Sequence, residues 1–377
     1  MANSKNHIYV SVSNDLFSDQ RVDKVCNSLI SMGFKVTLVG RKLPNSLPLD
    51  SRSYKTKRIH LLFKKGAFFY AELNFRLFWY LLFKKHSVLL ANDLDTLLAN
   101  YWVSKFKRSD LVYDSHEYFT EVPELAEGSF AKNMWLRIER KIFPKLNNVY
   151  TVCDSIADIY SKKYGVDVKV VRNIPRKNTI KSFKSREELG LPMDKKILLL
   201  QGAGINIDRG AEEMVEAMKF LPEDYLFVII GGGDVFETLK YIITDNQLEN
   251  KILIKGKIPY SELVHHTYNA DLGLSLDKNT SLNYQYSLPN KLFDYLNYQT
   301  PVLATNLVEI KKIVNKHKVG WIINTHEPKH IADKIQDIFN NKIEYQEFKD
   351  NTRKASEELN WESEELVLKQ IYCKLLK

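Results

Sequence analysis

Cysteine is scarce in this chain: Cys26, Cys153 and Cys373 are the three among 377 residues. They are widely separated and odd in number, so neither a disulfide framework nor a paired-cysteine zinc site is expected, and a reducing compartment is the simple reading. A secretory leader is not expected either, because the polar residues 1–7 run directly into the apolar residues 8–12 without a cleavage-like site. The expected location is therefore cytoplasmic. No run of about 20 apolar residues is present to span a bilayer. Fifteen glycines and eleven prolines are too few for a fibrous or low-complexity chain, and no internal repeat is found.

What is abundant is positive charge, and it is lopsided. Residues 1–175 hold 27 Lys/Arg against 17 Asp/Glu, whereas residues 176–377 hold 28 against 29. The stretch 41–85 alone carries 11 basic and 2 acidic residues. Such a patch expects an anionic partner. Within it, residues 61–86 contain nine aromatic residues, with Lys pairs at both ends and Glu72, Asn74 and Arg76 inside. This is either a core helix of the first domain or an interfacial helix, aromatics at headgroup depth and Lys/Arg on anionic lipid.

Short apolar runs alternate with amphipathic stretches throughout, the pattern of parallel sheets wrapped by helices. Strands are expected at 8–13, 35–39, 88–91, 111–113 and 148–152, then at 196–200, 226–230, 252–254, 272–276 and 302–304. Helices are expected at 19–32, 210–220 and 236–246. The fold class is therefore α/β, with two doubly wound Rossmann-like domains facing a central cleft. The join falls near Arg172-Asn173-Ile174-Pro175, because Pro175 ends regular structure. This divides the chain into a first domain, residues 1–175, and a second, 176–350. A helix over 351–377 is expected to pack back on the first. Functional residues should follow the carboxyl ends of strands.

The strongest local signal is Ser287-Leu288-Pro289-Asn290-Lys291-Leu292-Phe293-Asp294. A polar loop opens a helix there, and free N–H groups at a helix start suit a phosphate. Lys291 adds a mobile cation. Asp294, at i+3 from Lys291, points the same way and could accept ribose hydroxyls; the alternative is a plain Lys–Asp surface pair.

This segment, with Gln299-Thr300-Pro301-Val302, resembles the donor-binding segment of the group-1 glycosyltransferases of the GT-B fold, roughly P-x-K-x-x-E-x-x-A-x-G-x-P-V. Residues 197–210 resemble that family's phosphate loop, with Arg209-Gly210 where Lys-Gly is common. Gly231-Gly232-Gly233-Asp234 and Lys255-Gly256-Lys257 followed by Ala270-Asp271 resemble its further strand ends. The family usually has Glu where this chain has Tyr286, and Glu where it has Asp294. The resemblance implies donor contacts from Gly202, Arg209, Gly233, Gly256, Lys257, Leu288, Pro289, Asn290, Lys291 and Asp294. It also implies a sugar transfer from a nucleotide diphosphate, a UDP-sugar by preference, with retention, the first domain binding the acceptor and the second the nucleotide.

In the first domain, His116 and Glu117 directly follow a strand and are the catalytic candidates. Family members place such a His near the transferred sugar. Asn14, Asp19, Arg21, Asp93 and Asp95 are acceptor candidates, although Asp19, and Asp93 with Asp95, also fit as helix caps. No H-E-x-x-H, paired-Cys or D-x-D constellation occurs in the nucleotide half, so no metal and no cofactor beyond the nucleotide-sugar co-substrate are expected. The expected partners are that donor, a glycolipid or polysaccharide acceptor and the anionic inner face of a membrane. A nucleotide-sugar epimerase of the same fold is the alternative. A basic nucleic-acid-binding protein ranks last, for lack of RNA-motif aromatics or a basic helix-turn-helix.

Overall fold

The structure, a computed structural model, describes residues 6–17, 19–44 and 46–376. The chain separates into two compact units, residues 1–172 with 364–377, and residues 173–363.

In the first unit the elements are β1 (His7–Asp15), α1 (Gln20–Ser31), β2 (Lys35–Lys42), β3 (Lys55–His60), α2 (Gly66–Leu82), β4 (Val88–Asn92), α3 (Leu94–Lys107), β5 (Asp110–Ser115), α4 (Phe130–Ile142), β6 (Val149–Thr151), α5 (Asp154–Tyr164) and β7 (Val168–Val170). The sheet order is β3-β2-β1-β4-β5-β6-β7, all pairs parallel. The order reverses between β1 and β4, which opens a crevice at their carboxyl ends.

The second unit follows with β8 (Lys196–Gly202), α6 (Ala211–Ala217), β9 (Tyr225–Gly231), α7 (Phe236–Asp245), β10 (Ile252–Lys255), α8 (Tyr260–Asn269), β11 (Leu272–Ser275), α9 (Leu282–Gln285), α10 (Asn290–Asn297), β12 (Val302–Thr305), α11 (Val308–His317), β13 (Gly320–Ile323), α12 (Pro328–Asn340) and α13 (Lys342–Glu358). Its parallel sheet runs β10-β9-β8-β11-β12-β13, reversing between β8 and β11. One core cluster, with Leu198, Phe227 and Ile335, and another, with Ile197, Val228 and Phe293, are built from alternate strand residues. Period-two alternation sends them to opposite faces.

Three strands escape the sequence expectation. β3 and β7 each bury little beyond one residue, and β3 lies inside the basic run, so neither shows the apolar signature. β13 holds four residues. The helix expected over 351–377 is broken: α13 ends at Glu358 and α14 (Trp361–Tyr372) begins after Leu359 and Asn360.

Residues 61–86 form α2 and its flanks. Phe69, Leu73, Leu77 and Leu81, four residues apart, are buried, and Leu77 and Leu81 join Tyr9, Leu89 and Val103 in one core cluster. The opposite face is exposed and aromatic: Phe75, Trp79 and Phe83 are 66, 44 and 76% accessible. Phe106 of α3 adds to it, at 6.1 Å from Phe78. The core reading thus holds for one side of the helix, and the other side is an exposed aromatic stripe. No helix among the described residues is long and apolar enough to cross a membrane.

Candidate functional site

Each unit gathers polar residues at its own switch point. In the second unit the centre is Asp277, two residues beyond β11 and without solvent exposure. Its Oδ1 lies 2.6 Å from Nη1 of Arg209, and its Oδ2 lies 3.3 Å from Nζ of Lys291. Burial by itself would raise the Asp277 carboxyl, but Lys291 and Arg209 hold it below the usual carboxylate range. The Arg209 guanidinium also sits 4.5 Å from the Tyr284 ring, a cation–π contact. Two cations on one carboxylate leave one net positive charge.

Backbone geometry brings Arg209 there. Gly210 has φ +74°, and a Cβ on it would stand 2.4 Å from the Leu276 carbonyl oxygen. Only glycine allows that approach. The same contact is tied by the Lys278 N–H donating to the Asp208 carbonyl at 2.8 Å. Lys291 arrives on the first turn of α10, whose N-cap Pro289 supplies no side-chain cap. The first-turn N–H groups of that helix, next to Leu288 and the exposed Asn290, are the anion-binding kind.

Lys291 and Asp294 part company, contrary to expectation. Asp294 accepts a hydrogen bond from the Tyr260 hydroxyl at 2.8 Å and another from Gln201 Nε2 at 3.3 Å. Asp294 is therefore neither the partner of Lys291 nor idle. It locks α10 to α8 and to the end of β8. Gly233 has a packing role: its Cβ would meet the Ile205 carbonyl oxygen at 1.8 Å. The Gly202 carbonyl accepts from Gly232 N–H at 3.3 Å, so this glycine-rich end seals two loops together. The Lys257 side chain lies across Gly232, and Gly256 has open space where its side chain would be.

In the first unit the centre is His116, just beyond β5. Its N–H donates to Asp93 Oδ1 at 2.8 Å, and its Nε2 stands 3.1 Å from Asn92 Oδ1 and 3.2 Å from Asp114 Oδ2. Its Nδ1 is 3.5 Å from Asp93 Oδ2. Burial works against a charged imidazole here, but the Asp93 and Asp114 carboxylates outweigh it and push the His116 pKa up to about 9. Asp93 has φ 56°, a conformation costing about 1–3 kcal/mol for a non-glycine residue. Its N–H donates to the Asp114 carbonyl at 2.8 Å. Strain of this kind gathers at sites that must hold a fixed geometry.

Arg21 corrects its sequence assignment. It is 3% exposed and grips Asp114 through Nε at 3.1 Å and Nη2 at 2.7 Å, while Nη1 donates to the Val171 carbonyl. Its role is to hold Asp114 against His116, not to touch an acceptor. Asp19 is the N-cap of α1, accepting from the Val22 N–H at 3.0 Å. Asp95 is buried, which pushes its carboxyl up to about 6 despite a hydrogen bond from Ser13. Glu117 is half-buried and adds to the upward push on both Asp93 and Asp95. Asn14 is exposed near the end of β1. Among the described residues, no group of three or more His, Cys, Asp or Glu side chains is disposed to hold a metal ion.

Asp277, Tyr284, Tyr260, Asn92 and Asp114 were not selected from the sequence. Asp277 carried a usable signal, because it directly follows the expected strand 272–276.

Comparison with known proteins bears on the fold and the family. Residues 181–355 match the family described as glycosyl transferases group 1. D-inositol 3-phosphate glycosyltransferase from Xylanimonas cellulosilytica is 21% identical over 196 residues, 51% of this chain and 45% of that protein. The match thus spans less than half of that relative's length. Among solved structures, a glycosyltransferase from Rickettsia africae superimposes with a TM-score of 0.78 over 100% of both chains at 15% identity. Anabaena Alr3699/HepE in complex with UDP-glucose gives 0.74 over 98% of this chain and 99% of that one, at 13% identity. These likenesses establish the fold, two Rossmann-like units of the GT-B type.

Proposed function

We propose, for a chain whose second unit belongs to the group 1 glycosyl transferases, that it moves a sugar from a nucleotide diphosphate sugar, by preference a UDP-sugar, to a lipid-linked or polysaccharide acceptor. The observation that carries this reading is the convergence of Arg209 and Lys291 on Asp277. A leaving diphosphate develops charge that fixed donors must meet. The surplus positive charge, with the first-turn N–H groups of α10, is aimed at such a group. The UDP-glucose complex of a protein of the same fold supports the choice of donor. Asp294, one turn beyond Lys291 on α10, offers a carboxylate to the ribose hydroxyls.

In the first unit His116 positions the transferred sugar, with Asp93, Asp95 and Glu117 offering acceptors to sugar hydroxyls. The protonated imidazole places a positive charge and an N–H donor at the strand ends. Transfer proceeds with retention and needs no metal, the cationic side chains filling that role. The aromatic face of α2 and the lysines around it seat the protein at the anionic inner face of a membrane, where a lipid-linked acceptor is presented.

The test is a panel of UDP-, GDP-, dTDP- and ADP-sugars, read as the shift in Tm and then as sugar release or transfer. A UDP-sugar should give the largest shift, and product should depend on an added acceptor. No shift with any nucleotide sugar counts against the assignment. Interconversion of the sugar without an acceptor would point to an epimerase instead.

A further inference from the structure

The basic run 41–85 does more than charge a surface: part of it closes around one pocket. At the carboxyl ends of β2 and β3 a cavity of 330 Å³ is lined by Arg41, Lys42, His60 and Lys64, with Leu61 and Phe63 at its apolar side. No Asp or Glu lines it, and among the described residues none of the four basic groups has an ion-pair partner. Arg58, on the same strand as His60, differs: it is 2.7 Å from Asp15. Arg41 is within electrostatic reach of the buried Asp95, but basic side chains gathered with no carboxylate in the pocket wall repel one another, and an anion relieves that repulsion.

We propose that this pocket binds a phosphate or diphosphate ester carried by the acceptor. Arg41 is set for the task. Its guanidinium lies 4.8 Å from the Phe69 ring, and its Nη1 reaches the Lys64 carbonyl at 3.4 Å. Its Nε is buried without a hydrogen-bond partner. A planar guanidinium with donors to spare suits a phosphate; Lys42 and Lys64 supply further charge, and His60 a ring nitrogen. A single open pocket, not a long basic stripe, matches one phosphorylated group better than a nucleic-acid backbone.

Two further features narrow the ligand. Leu62, Phe63 and Phe68 stand exposed beside the pocket, with the two Phe rings stacked at 5.3 Å. An ester on an apolar chain would find both its charge and its hydrocarbon met. The register pairs Asp15 of β1 with Arg41 of β2, and Lys42 with His60 of β3. With strands about 4.8 Å apart, the pocket stands one to two strands from the β1–β4 switch point. An ester held there leaves its sugar-bearing end at Asn14 and Asp93.

The inference rests on the first unit being the acceptor unit, and the two fail separately. A protein that transfers sugar from UDP-glucose while its pocket ignores phosphate loses the pocket and keeps the reaction. The test labels the full chain at histidine Cε1 and assigns the His60 resonance with H60Q. Inorganic pyrophosphate is then titrated in. The His60 signal should shift saturably, and in R41Q/K64Q the affinity should fall roughly tenfold, the loss of a charge-assisted contact. The His116 and His266 signals report that the fold is intact. If Arg41→Gln disturbs them, K42Q/K64Q, both at exposed positions, takes its place.

Co-sedimentation with phosphatidylglycerol or phosphatidylcholine vesicles separates the sources. If the variant also loses the phosphatidylglycerol-dependent pellet, the ester is lipid-borne. If it pellets as wild type while pyrophosphate binding is gone, the ester is soluble or polymer-borne. A His60 signal unmoved by millimolar pyrophosphate, or moved equally in wild type and variants, overturns the proposal.

Discussion

Asp277 holds Arg209 at 2.6 Å with no solvent contact of its own, and through its other oxygen it also holds Lys291. Arg209 and Lys291 are therefore one unit. Each charge-assisted contact to a phosphate is worth roughly 1.5–3 kcal/mol, so Arg209→Ala and Lys291→Ala should each weaken UDP-sugar binding by about tenfold or more. The double variant should fall short of the sum, because residues sharing a partner are coupled. Strict additivity in calorimetry would place them at separate sites.

Asp277→Asn tests the other side of that arrangement. It leaves two cations without their counter-charge, and stability should fall by about 1–3 kcal/mol. The partial exposure of Arg209 keeps the loss below that of a fully buried pair. UDP, by taking over the missing negative charge, should raise Tm more in the variant than in the wild type. Equal rises would mean that the anion does not meet these cations.

The His116 imidazole supplies a pH signature. Its folded pKa, about 9, lies above the ordinary value near 6.5. A raised pKa contributes stability that is fully present below about pH 6.5 and is lost as pH rises through about 9. The Tm of the wild type should therefore drop between pH 7 and 9.5 by more than that of His116→Gln. Parallel curves for the two proteins would show that this His is neutral in the fold.

The exposed and buried faces of α2 should respond oppositely. Replacing Phe75, Trp79 and Phe83 by Ser should change stability by no more than about 0.5 kcal/mol per site, as usual for surface positions. It should remove the part of vesicle binding that survives high salt. Leu77→Ala, in the core cluster, should cost about 2–5 kcal/mol and leave the binding of folded protein unchanged. If the aromatic variant still pellets at high salt, these rings are not the membrane contact.

If Arg209 and Lys291 offset the diphosphate as proposed, sugar transfer should persist in EDTA. Abolition by chelation with rescue by Mg²⁺ or Mn²⁺ would return attention to Asp93 and Asp95.

Much of this protein was legible in one dimension. Apolar periodicity marked most buried strands of both sheets, because a strand covered on both faces must be apolar along its length; the buried but four-residue β13 was too short to register. The signal failed where burial is partial, at β3, β7 and the break between α13 and α14. Lys291 and His116 were found because one opens a helix and the other follows a strand, and local order puts them at the carboxyl edge of a sheet; Arg209 was found through the family resemblance of residues 197–210. Their partners were not legible. Asp277 meets Arg209 across 68 residues and Arg21 meets Asp114 across 93, and no spacing rule reaches so far. Whether Arg21 touches a ligand or braces a carboxylate depends on burial, which sequence charge does not reveal. The same holds for α2: its leucines and aromatics were visible as letters, but only the sheet beneath it decided which stripe became core and which was left facing outward.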